Sequence, residues 1–300
     1  MKELGTDRTN GPMALEEELQ HRLEQTRAEI ARLDLLRHVL LHLPMYSAAE
    51  LAEPRMLQAV IRRSVEALRA RRAQAPAQWQ QRVRAGGLED LVVAPVHPEL
   101  AVEVHQAFHY LGSPQREGAH LGAWTRGPDA RLAALATISR LELRRARLVL
   151  PDSPAPEQVE ALSRIYAFDG APLNTLSWML GRLFSWMRQN RPEVRWLVTQ
   201  VNPNLGFRGS IYRATNWQLV AREHKTHYLY LDGAYVTDRE MRARFGTSHF
   251  EALRERLRDR VRRSVRPLLP LELYAYSLAA RRGQPALDNV WDLLPEERTA

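Results

Sequence analysis

Residues 206–220 read GFRGSIYRATNWQLV, and this stretch decides the fold that the sequence predicts. It follows the apolar, β-branched run RWLVTQV, which is typical of a buried strand, and it leads into a second run of this kind, WQLVA. The residues between the two runs, Ile211 to Thr215, fit a short helix that carries Tyr212. A helix between two strands predicts a sheet with helices packed against it.

The same alternation of predicted strands and helices extends on both sides of this stretch. Short apolar runs separated by Gly, Pro and Asp alternate there with helical segments. We therefore predict an α/β (α+β) fold, with a mixed central sheet flanked by helices. The predicted strands are LVVAPV, HLGAWT, RLAALATIS, ALSRIYAF, RWLVTQV, WQLVA, HYLYL and, as a last strand, LELYAYSL. The predicted helices are residues 98–110, 173–190, 211–215 and 248–263.

The segment that precedes the predicted sheet is helical in pattern. Between residues 14 and 43 apolar side chains recur mostly every three or four positions, as in a long amphipathic, partly coiled-coil-like helix. Pro44 ends this helix, and Ser47 with Glu50 fits the capping box of a second helix that runs through Arg72. Such helices are also candidate contacts of a homo-oligomer.

A Gly86–Gly87 pair follows these helices and marks a boundary before the first strand. We predict a basic helical extension over residues 1–85 and a catalytic domain over 88–237. Residues 238–300 are predicted to hold a basic helix, the last strand and a tail.

Composition excludes several kinds of chemistry. The chain has 300 residues, a net charge of +8 and no cysteine, which excludes disulfides, thiolate metal sites and a cysteine nucleophile. No apolar run has the roughly eighteen residues of a transmembrane helix. The N-terminal sequence also lacks the apolar core of a signal peptide. We expect a soluble protein of the cytoplasm.

Arginine supplies most of the positive charge, and its guanidinium pairs with phosphate in bidentate geometry. Arginines concentrate in residues 55–72, against one acidic residue, and in 254–263, where carboxylates are interleaved. This pattern favours DNA as a partner. The alternatives are a solvated helix face and the general arginine enrichment of a GC-rich genome. The candidate phosphate contacts are Arg62, Arg63, Arg69, Arg72, Arg256 and Arg263.

The stretch 206–220 resembles a motif of the GNAT superfamily of acyltransferases. In that superfamily a helix with a tyrosine lies at this place and ends in a Gly-Phe pair, for which this chain has Asn216–Trp217. The resemblance implies that Tyr212 is the general acid that protonates the departing thiolate of coenzyme A. A purely structural tyrosine, packed by its ring and bonded to a carbonyl group, is the alternative.

A second resemblance covers about residues 90 to 235. The order LSRIYAF, PLNTLSWML, a strand and GSIYRATNW, with a His-Tyr pair early in the domain, is similar to that of the Mom-type DNA-modification proteins of phages. DruA-like defence proteins have a related element. The resemblance implies active-site roles for five residues. They are His109, Tyr110, Arg164, Ser177 and Tyr212.

Two departures from these families bear on the chemistry. Mom-like proteins usually have Asp-Pro after the strand that precedes the tyrosine helix, whereas this chain has Asn202–Pro203, and an amide is neither a base nor an anionic metal ligand. The phosphate-binding loop of GNAT enzymes corresponds to Gly170–Thr175, which has one glycine and a proline. Gly170, Asn174 and Ser177 are the candidate cofactor contacts. Acetyl-CoA and another acyl or glycyl donor both remain open.

Histidines suggest a further possibility. His105 and His109 are four residues apart, a spacing that can bind a transition metal on one helix face. A structural or exposed pair is the alternative reading, and His109 is the one candidate metal ligand. The cluster from His224 to His227 is predicted to be a solvated hairpin turn between two strands.

These observations lead to one principal hypothesis and two alternatives. The principal hypothesis is a GNAT-like transferase of a phage or defence system that modifies a DNA base, with the adenine N6 amine suggested by the Mom resemblance. The first alternative is an ordinary N-acetyltransferase that acts on a protein or a small amine. The second is a non-catalytic DNA-binding or assembly subunit of a defence system, which Asn202 favours.

Overall fold

The computed structural model describes most of the chain, namely residues 19, 21–23, 30–76, 79, 83–140, 149–151, 153–224, 227–279 and 289–294. The helices are α1 (Arg32–His42), α2 (Ala48–Ala52), α3 (Pro54–Ala73), α4 (Pro98–Ala107), α5 (Thr175–Asn190), α6 (Ser210–Ala214), α7 (Asp238–Phe245) and α8 (Phe250–Leu257). No helix of this part of the chain combines the length and the apolar character needed to cross a membrane.

The strands form two sheets. They are β1 (Leu91–Pro95), β2 (Ala119–Thr125), β3 (Leu132–Arg140), β4 (Val159–Ala167), β5 (Trp196–Val201), β6 (Gln218–Glu223), β7 (Leu229–Leu231), β8 (Ala234–Val236), β9 (Val261–Arg263), β10 (Leu271–Ser277) and β11 (Trp291–Leu293). The large sheet has eight strands in the order β1-β2-β3-β4-β5-β10-β6-β11, and the small sheet has the order β8-β7-β9. Parallel and antiparallel pairs coexist in the large sheet, so the predicted mixed α/β fold is confirmed.

The pairing of β4 with β5 determines where a site can form. This parallel ladder extends over three residue pairs, from Val159 opposite Trp196 to Ala161 opposite Val198. Beyond it, the Thr199 hydroxyl donates a hydrogen bond of 3.0 Å to the carbonyl oxygen of Leu162. The C-terminal half of β4 then continues beside β3 alone. Its side chains can therefore face an opening at this end of the β4–β5 pair.

The strand β10 completes the large sheet from the C-terminal part of the chain. It pairs antiparallel with β5 on one side and with β6 on the other. Successive side chains of this strand point to opposite faces of the sheet, and both faces are covered, since Leu273, Tyr274 and Ala275 are all buried. The sheet therefore includes residues beyond the segment 88–237 in which the sequence places the catalytic domain.

Several predicted elements have different bounds in the structure. The predicted helix 14–43 is interrupted before α1, because Ala31 has an extended backbone with ψ of 126°; residues 1–18, 20 and 24–29 lie outside the described residues. The predicted helix 248–263 ends at Leu257, because Arg258 has a φ of +51° and Val261 then pairs with Leu231 of β7.

The hairpin predicted around His224 to His227 is wrong. The strands on either side of it, β6 and β7, belong to different sheets and do not pair. Residues 225 and 226 lie outside the described part of the chain. The chain uses this connection to pass from the large sheet to the small one.

The predicted capping box at the start of α2 is confirmed. The Glu50 amide donates to the Ser47 hydroxyl at 3.2 Å, and the Ser47 amide donates to the Glu50 carboxylate at 2.7 Å. The predicted second helix is divided in two, because Glu53 is extended and Pro54 opens α3. Pro is well suited to a first helical position, where it lacks no needed donor.

The N-terminal helix α1 packs against the sheet domain. The Tyr230 hydroxyl donates to the carbonyl oxygen of Leu41 at 3.0 Å, and the amide of Val265 donates to that of Pro44 at 2.8 Å. The Leu41 side chain joins a buried cluster with Leu205 and Tyr228. This contact places the helix over the chain segment that leads into α6.

Candidate functional site

The His-Tyr pair predicted to belong to the site lies in a turn. The predicted helix 98–110 ends at Ala107, so that His109 and Tyr110 follow it as a turn instead of continuing its face. Arg71 of α3 holds this turn, because its guanidinium donates to the carbonyl oxygens of Gln106 at 2.9 Å and of His109 at 2.6 Å. The rings of His109 and Tyr110 lie 4.4 Å apart between centroids.

Tyr212 reaches the end of the β4–β5 ladder from α6. Gly209 precedes that helix with a φ of +64°, and a Cβ atom there would lie 2.6 Å from the Tyr274 hydroxyl, so this position requires glycine. The Tyr212 ring packs edge-on against Trp217 at 5.4 Å. Its hydroxyl is hydrogen-bonded to the side chain of Thr199, and burial raises the pKa of Tyr212 to about 12. At neutral pH this hydroxyl keeps its proton.

Arg164 of β4 supplies the positive charge of the site. One of its guanidinium nitrogens donates to the carbonyl oxygen of Ser163 at 2.7 Å. Burial first, and the charge of Arg164 second, hold the pKa of His109 well below its usual range. Burial raises the pKa of Tyr110, and the same guanidinium opposes this rise. His109, Tyr110 and Arg164 are therefore close neighbours.

The structure thus brings together residues from separate parts of the sequence. An ionised Tyr110 would raise the pKa of Tyr212, so the two side chains belong to the same neighbourhood, and Tyr110 packs on Phe207 with 5.4 Å between ring centroids. We name this neighbourhood the Tyr212 cluster; Arg164 acts on the pKa of His109 and Tyr110, and Tyr110 links the other two to Tyr212. Its members are His109, Tyr110, Arg164 and Tyr212.

The N-terminal helices add charged groups that the sequence analysis did not single out. Asp34 of α1 is buried and accepts hydrogen bonds from Arg72 at 2.5 Å and from the Tyr166 hydroxyl at 2.9 Å. Burial raises the pKa of Asp34, which Arg72 and Tyr166 oppose. Arg37 lies over the ring of Phe207 at 4.4 Å. With Arg164 and Arg71, this neighbourhood carries more positive than negative charge and suits an anionic group.

The Tyr166–Asp34 bond joins the helical extension to the sheet and allows a test. Replacing Tyr166 by Phe should lower the free energy of unfolding by about 1.5–3 kcal/mol, because a hydrogen bond to a buried carboxylate is lost. Urea unfolding at pH 7.5 measures this change. The matched control is Tyr46→Phe, which removes the acceptor for an exposed arginine, Arg63, and should have a much smaller effect. Equal stability of wild type and the Tyr166 variant would contradict the prediction.

Hydrogen bonds through Thr137 link two of the buried histidines, His105 and His120. His105 accepts from the amide of Gln115 at 3.3 Å and bonds to the Thr137 hydroxyl at 3.1 Å, so both of its ring nitrogens are engaged. Thr137 also bonds to His120 at 2.9 Å. His109 accepts at Nδ1 from the amide of Leu111 at 3.3 Å, which leaves the proton on Nε2. No group of three or more potential ligands lies close together in the described part of the chain.

The loop predicted to hold a cofactor lies before α5. Gly170 has a φ of +82° and Asn174 has a φ of +64°. The Thr175 hydroxyl donates a hydrogen bond of 2.6 Å to the carbonyl oxygen of Pro172. Ser177 is half-buried in the first turn of the helix. The Asn174 side chain does not cap α5, so the first amide groups of the helix are what this loop offers to an anion. Within the described residues, no hydrogen bond or ring contact links Ser177 to the Tyr212 cluster.

Asn202, at the position for which the Mom resemblance implies Asp, forms hydrogen bonds within its own loop and to Tyr228. Its side-chain amide donates to the Tyr228 hydroxyl at 2.7 Å, and its oxygen accepts from the amide of Asn204 at 3.1 Å. It thereby caps the 3-10 turn Pro203–Leu205 that leads to Phe207. The residue positions the loop on which Tyr110 packs.

The basic residues proposed for DNA divide into two groups. Arg72 was predicted to contact phosphate, but its side chain is 17% exposed and paired with Asp34, so it is removed from the surface set. The others are exposed on α3, α8 and β9. Arg256 and Arg263 lie over the rings of Phe245 and Phe250, and the α3 residues are Arg62, Arg63 and Arg69.

A family model places the chain among known proteins. The model of the Mom protein family matches residues 90–272, which is more than half of the chain and includes the whole Tyr212 cluster. The chain belongs to the Mom protein family. The resemblance predicted from the sequence is thereby confirmed. The matched segment begins after α3, so that the helices carrying Asp34, Arg37, Arg71 and Arg72 lie outside it.

Solved structures that are similar to this Mom-family chain are acetyltransferases. An N-acetyltransferase from Staphylococcus aureus Mu50 has 10% identity and a TM-score of 0.32, over 63% of this chain and 99% of that one. Arabidopsis thaliana NAA60 in complex with acetyl-CoA has 9% identity and a TM-score of 0.40, over 63% and 99%. A GNAT-family acetyltransferase from Streptococcus pneumoniae has 10% identity and a TM-score of 0.32, over 62% and 99%. A comparison with curated protein sequences gave no match.

Proposed function

We propose that this chain is a GNAT-like transferase that attaches an acyl or glycyl-type group to an exocyclic amine of a DNA base, with adenine N6 as the first candidate. The observation that carries the proposal is the Tyr212 cluster. His109, Tyr110, Arg164 and Tyr212 come from distant parts of the sequence and meet beside the end of the β4–β5 ladder. Membership of the Mom protein family supports it. The proposal includes a phage or defence context, which is what the same resemblance implies.

The cluster suits the charge changes of acyl transfer. The amine nitrogen attacks the acyl carbon, a new C–N bond forms, and the bond to the leaving group breaks. The proton that the amine loses balances the one that the leaving group gains. The Tyr212 hydroxyl, protonated because burial raises the pKa to about 12, exchanges its hydrogen bond to Thr199 for one that it donates to the developing negative charge. Arg164 stabilises the same charge without a proton transfer.

The donor is not assigned to coenzyme A. The pyrophosphate of that coenzyme needs a series of free backbone amides, whereas Pro172 has none and the amide of Thr175 already donates to the Pro172 oxygen at 3.2 Å. These residues fit the pyrophosphate poorly. The excess of guanidinium groups around Asp34 is the part of the site that suits an anionic donor.

Nucleoside mass spectrometry tests the proposed function. DNA from cells that express the wild-type protein should contain a modified nucleoside that is absent from cells expressing Tyr212→Phe. A modified protein or small amine without a modified nucleoside would favour the ordinary acetyltransferase. Normal DNA binding with no transfer to any amine would favour a non-catalytic subunit.

The basic face of α3 allows a separate test of DNA binding. Replacing Arg62, Arg63 and Arg69 together by Gln should flatten the log-log salt dependence of binding by roughly one unit for each lost phosphate contact. The measurement is the affinity for unrelated duplexes between low and moderate salt. A charge-matched control replaces three exposed arginines elsewhere, Arg126, Arg182 and Arg222. An unchanged slope in the α3 variant, or equal slopes in both, would exclude this face from the interface.

A further inference from the structure

A cavity of about 500 Å³ lies between the N-terminal helices and the sheet domain. Five parts of the chain line it: α1, α3, the end of α4 with the turn that follows, β8, and the start of α7. We call it the Tyr110 cavity. The lining side chains used below are His38, His42, Ala67, Arg71, Tyr110 and Tyr235. Those from α1 and α3 precede residue 90 and thus lie outside the segment that matches the Mom family.

The Tyr110 cavity adjoins the Tyr212 cluster through Tyr110, which belongs to both. Tyr110 lines the cavity, and its ring also packs on His109 at 4.4 Å between centroids. Tyr235 lines it as well and lies within the electrostatic reach of both Tyr110 and Arg164. A molecule in the cavity would therefore lie next to the groups proposed to act in transfer.

Flat rings with hydrogen-bonding edges form much of the lining. His38 and His42 stack with 4.5 Å between ring centroids. Two hydrogen bonds fix the His42 ring. Its Nδ1 atom donates to the His38 carbonyl oxygen at 2.8 Å, and its Nε2 atom accepts from the Tyr235 amide at 3.3 Å. The His38 side chain is buried, and its Nδ1 atom has no hydrogen-bond partner among the described residues. Burial holds the pKa of His38 down at about 3, so this ring is neutral at pH 7.

The charges of the lining do not favour an anion. Arg71 is the cation of the lining, and two of its N–H groups donate to the carbonyl oxygens of Gln106 and His109. Two carboxylates also line the cavity: Glu103 accepts from the indole of Trp79 at 2.9 Å, and Glu240 is paired with Arg244. A phosphate inside would gain no net positive charge. The lining instead suits a neutral planar group with donors and acceptors at its edge.

Positive charge lies outside the cavity on the same helix. Ala67 and Arg71 face the cavity from α3, and Arg63 occupies the position one turn before Ala67 on that face. Arg63 is exposed. A chain with anionic phosphates and neutral rings could therefore place its backbone on α3 while one ring enters the cavity.

We propose that the Tyr110 cavity receives a single unstacked nucleobase of DNA and presents its exocyclic amine to the Tyr212 cluster. This inference rests on the proposed function, because it identifies where the acceptor base would bind. The volume is ample for a base with its sugar. An enzyme that acts on a base must remove it from the helix, and the cost is a few kcal/mol less when the base is already unpaired.

Duplex binding with and without an unpaired adenine tests the inference. The wild-type protein should bind the duplex with the unpaired adenine about tenfold more tightly or better, since part of the extraction cost is saved. Ala67→Phe should abolish this preference by filling the cavity, and Ala67→Leu should reduce it partly. Ala70→Phe is the matched control, because Ala70 is exposed on the same helix. Thermal melting of each variant establishes that it is folded.

Two results would overturn the inference: a wild-type protein without the preference, or an Ala67→Phe protein that is folded and keeps it. Free adenosine and coenzyme A are tested in parallel as soluble sources of the same ring. Binding of either one that is lost in Ala67→Phe, with the duplex preference intact, would assign the cavity to a soluble nucleotide instead. The duplex experiment measures binding, and nucleoside mass spectrometry measures transfer. A missing modified nucleoside would therefore count against the proposed function, whereas the duplex-binding experiment alone decides whether the cavity binds a base.

Discussion

Replacing Tyr212 by Phe is expected to lower the rate of transfer by about 10²- to 10³-fold, which is the usual cost of removing one donor from a site of developing charge. The change deletes the hydroxyl that is bonded to Thr199 at the end of the β4–β5 ladder and keeps the ring against Trp217. The rate of modified-nucleoside formation, measured with purified protein and DNA, is the readout.

Tyr274 provides the matched control for this substitution. Its ring stacks with that of Tyr212 at 5.8 Å, but its hydroxyl bonds to Arg213 at 2.9 Å and to Glu272 at 3.1 Å, not to Thr199. Tyr274→Phe should therefore keep most of the activity. A folded Tyr212→Phe protein with a wild-type rate would show that the hydroxyl takes no part in the transfer.

Lowering the pH from 7.5 to 5 is expected to destabilise the protein by about 2 kcal/mol for each of two buried histidines. Burial lowers the pKa of His38 and of His105 from 6.5 to about 3. The unfolded chain binds protons on these rings below about pH 6.5, whereas the folded chain does not. The stabilisation is complete above the unfolded pKa and is lost as the pH falls toward the folded one. Burial also lowers the pKa of His42, His109 and His120, which adds to the effect.

Urea unfolding at several pH values measures this loss. The variant His38→Gln should show a shallower decline between pH 7.5 and 5, because one of the titrating groups is gone. His249 is exposed, and His249→Gln is the matched control for the substitution itself. A stability that is flat over this pH range in the wild-type protein would contradict the prediction.

Much of the sheet was predictable, because strand and helix patterns are local. The runs around residues 91–95, 119–125, 132–140 and 196–201 are strands as expected, and Tyr212 lies on a short helix between strands. The capping box of Ser47 and Glu50 could also be predicted from the sequence, since the two residues are only three positions apart. The family order of motifs also grouped five residues as candidates for one active site, and this grouping stays a prediction; they are His109, Tyr110, Arg164, Ser177 and Tyr212.

The contribution of the N-terminal helices could not be predicted in this way. Asp34, Arg37 and Arg71 carry no motif and lie outside the family segment, and their partners are far away in sequence. Arg72 belonged to a basic helix pattern with Arg69, and only its contact with Asp34 separates the two residues. A helical pattern shows which residues share a face but not which face is covered.

The sequence by itself determined the fold class and the family, because these depend on local periodicity and on the order of motifs along the chain. Only the tertiary structure decided that β10 enters the sheet between β5 and β6, that the β4–β5 ladder ends at Ala161, and that α1 and α3 enclose a cavity beside Tyr110. These features depend on contacts between residues that are distant in sequence. Burial and pairing energies, which no local pattern reports, select them.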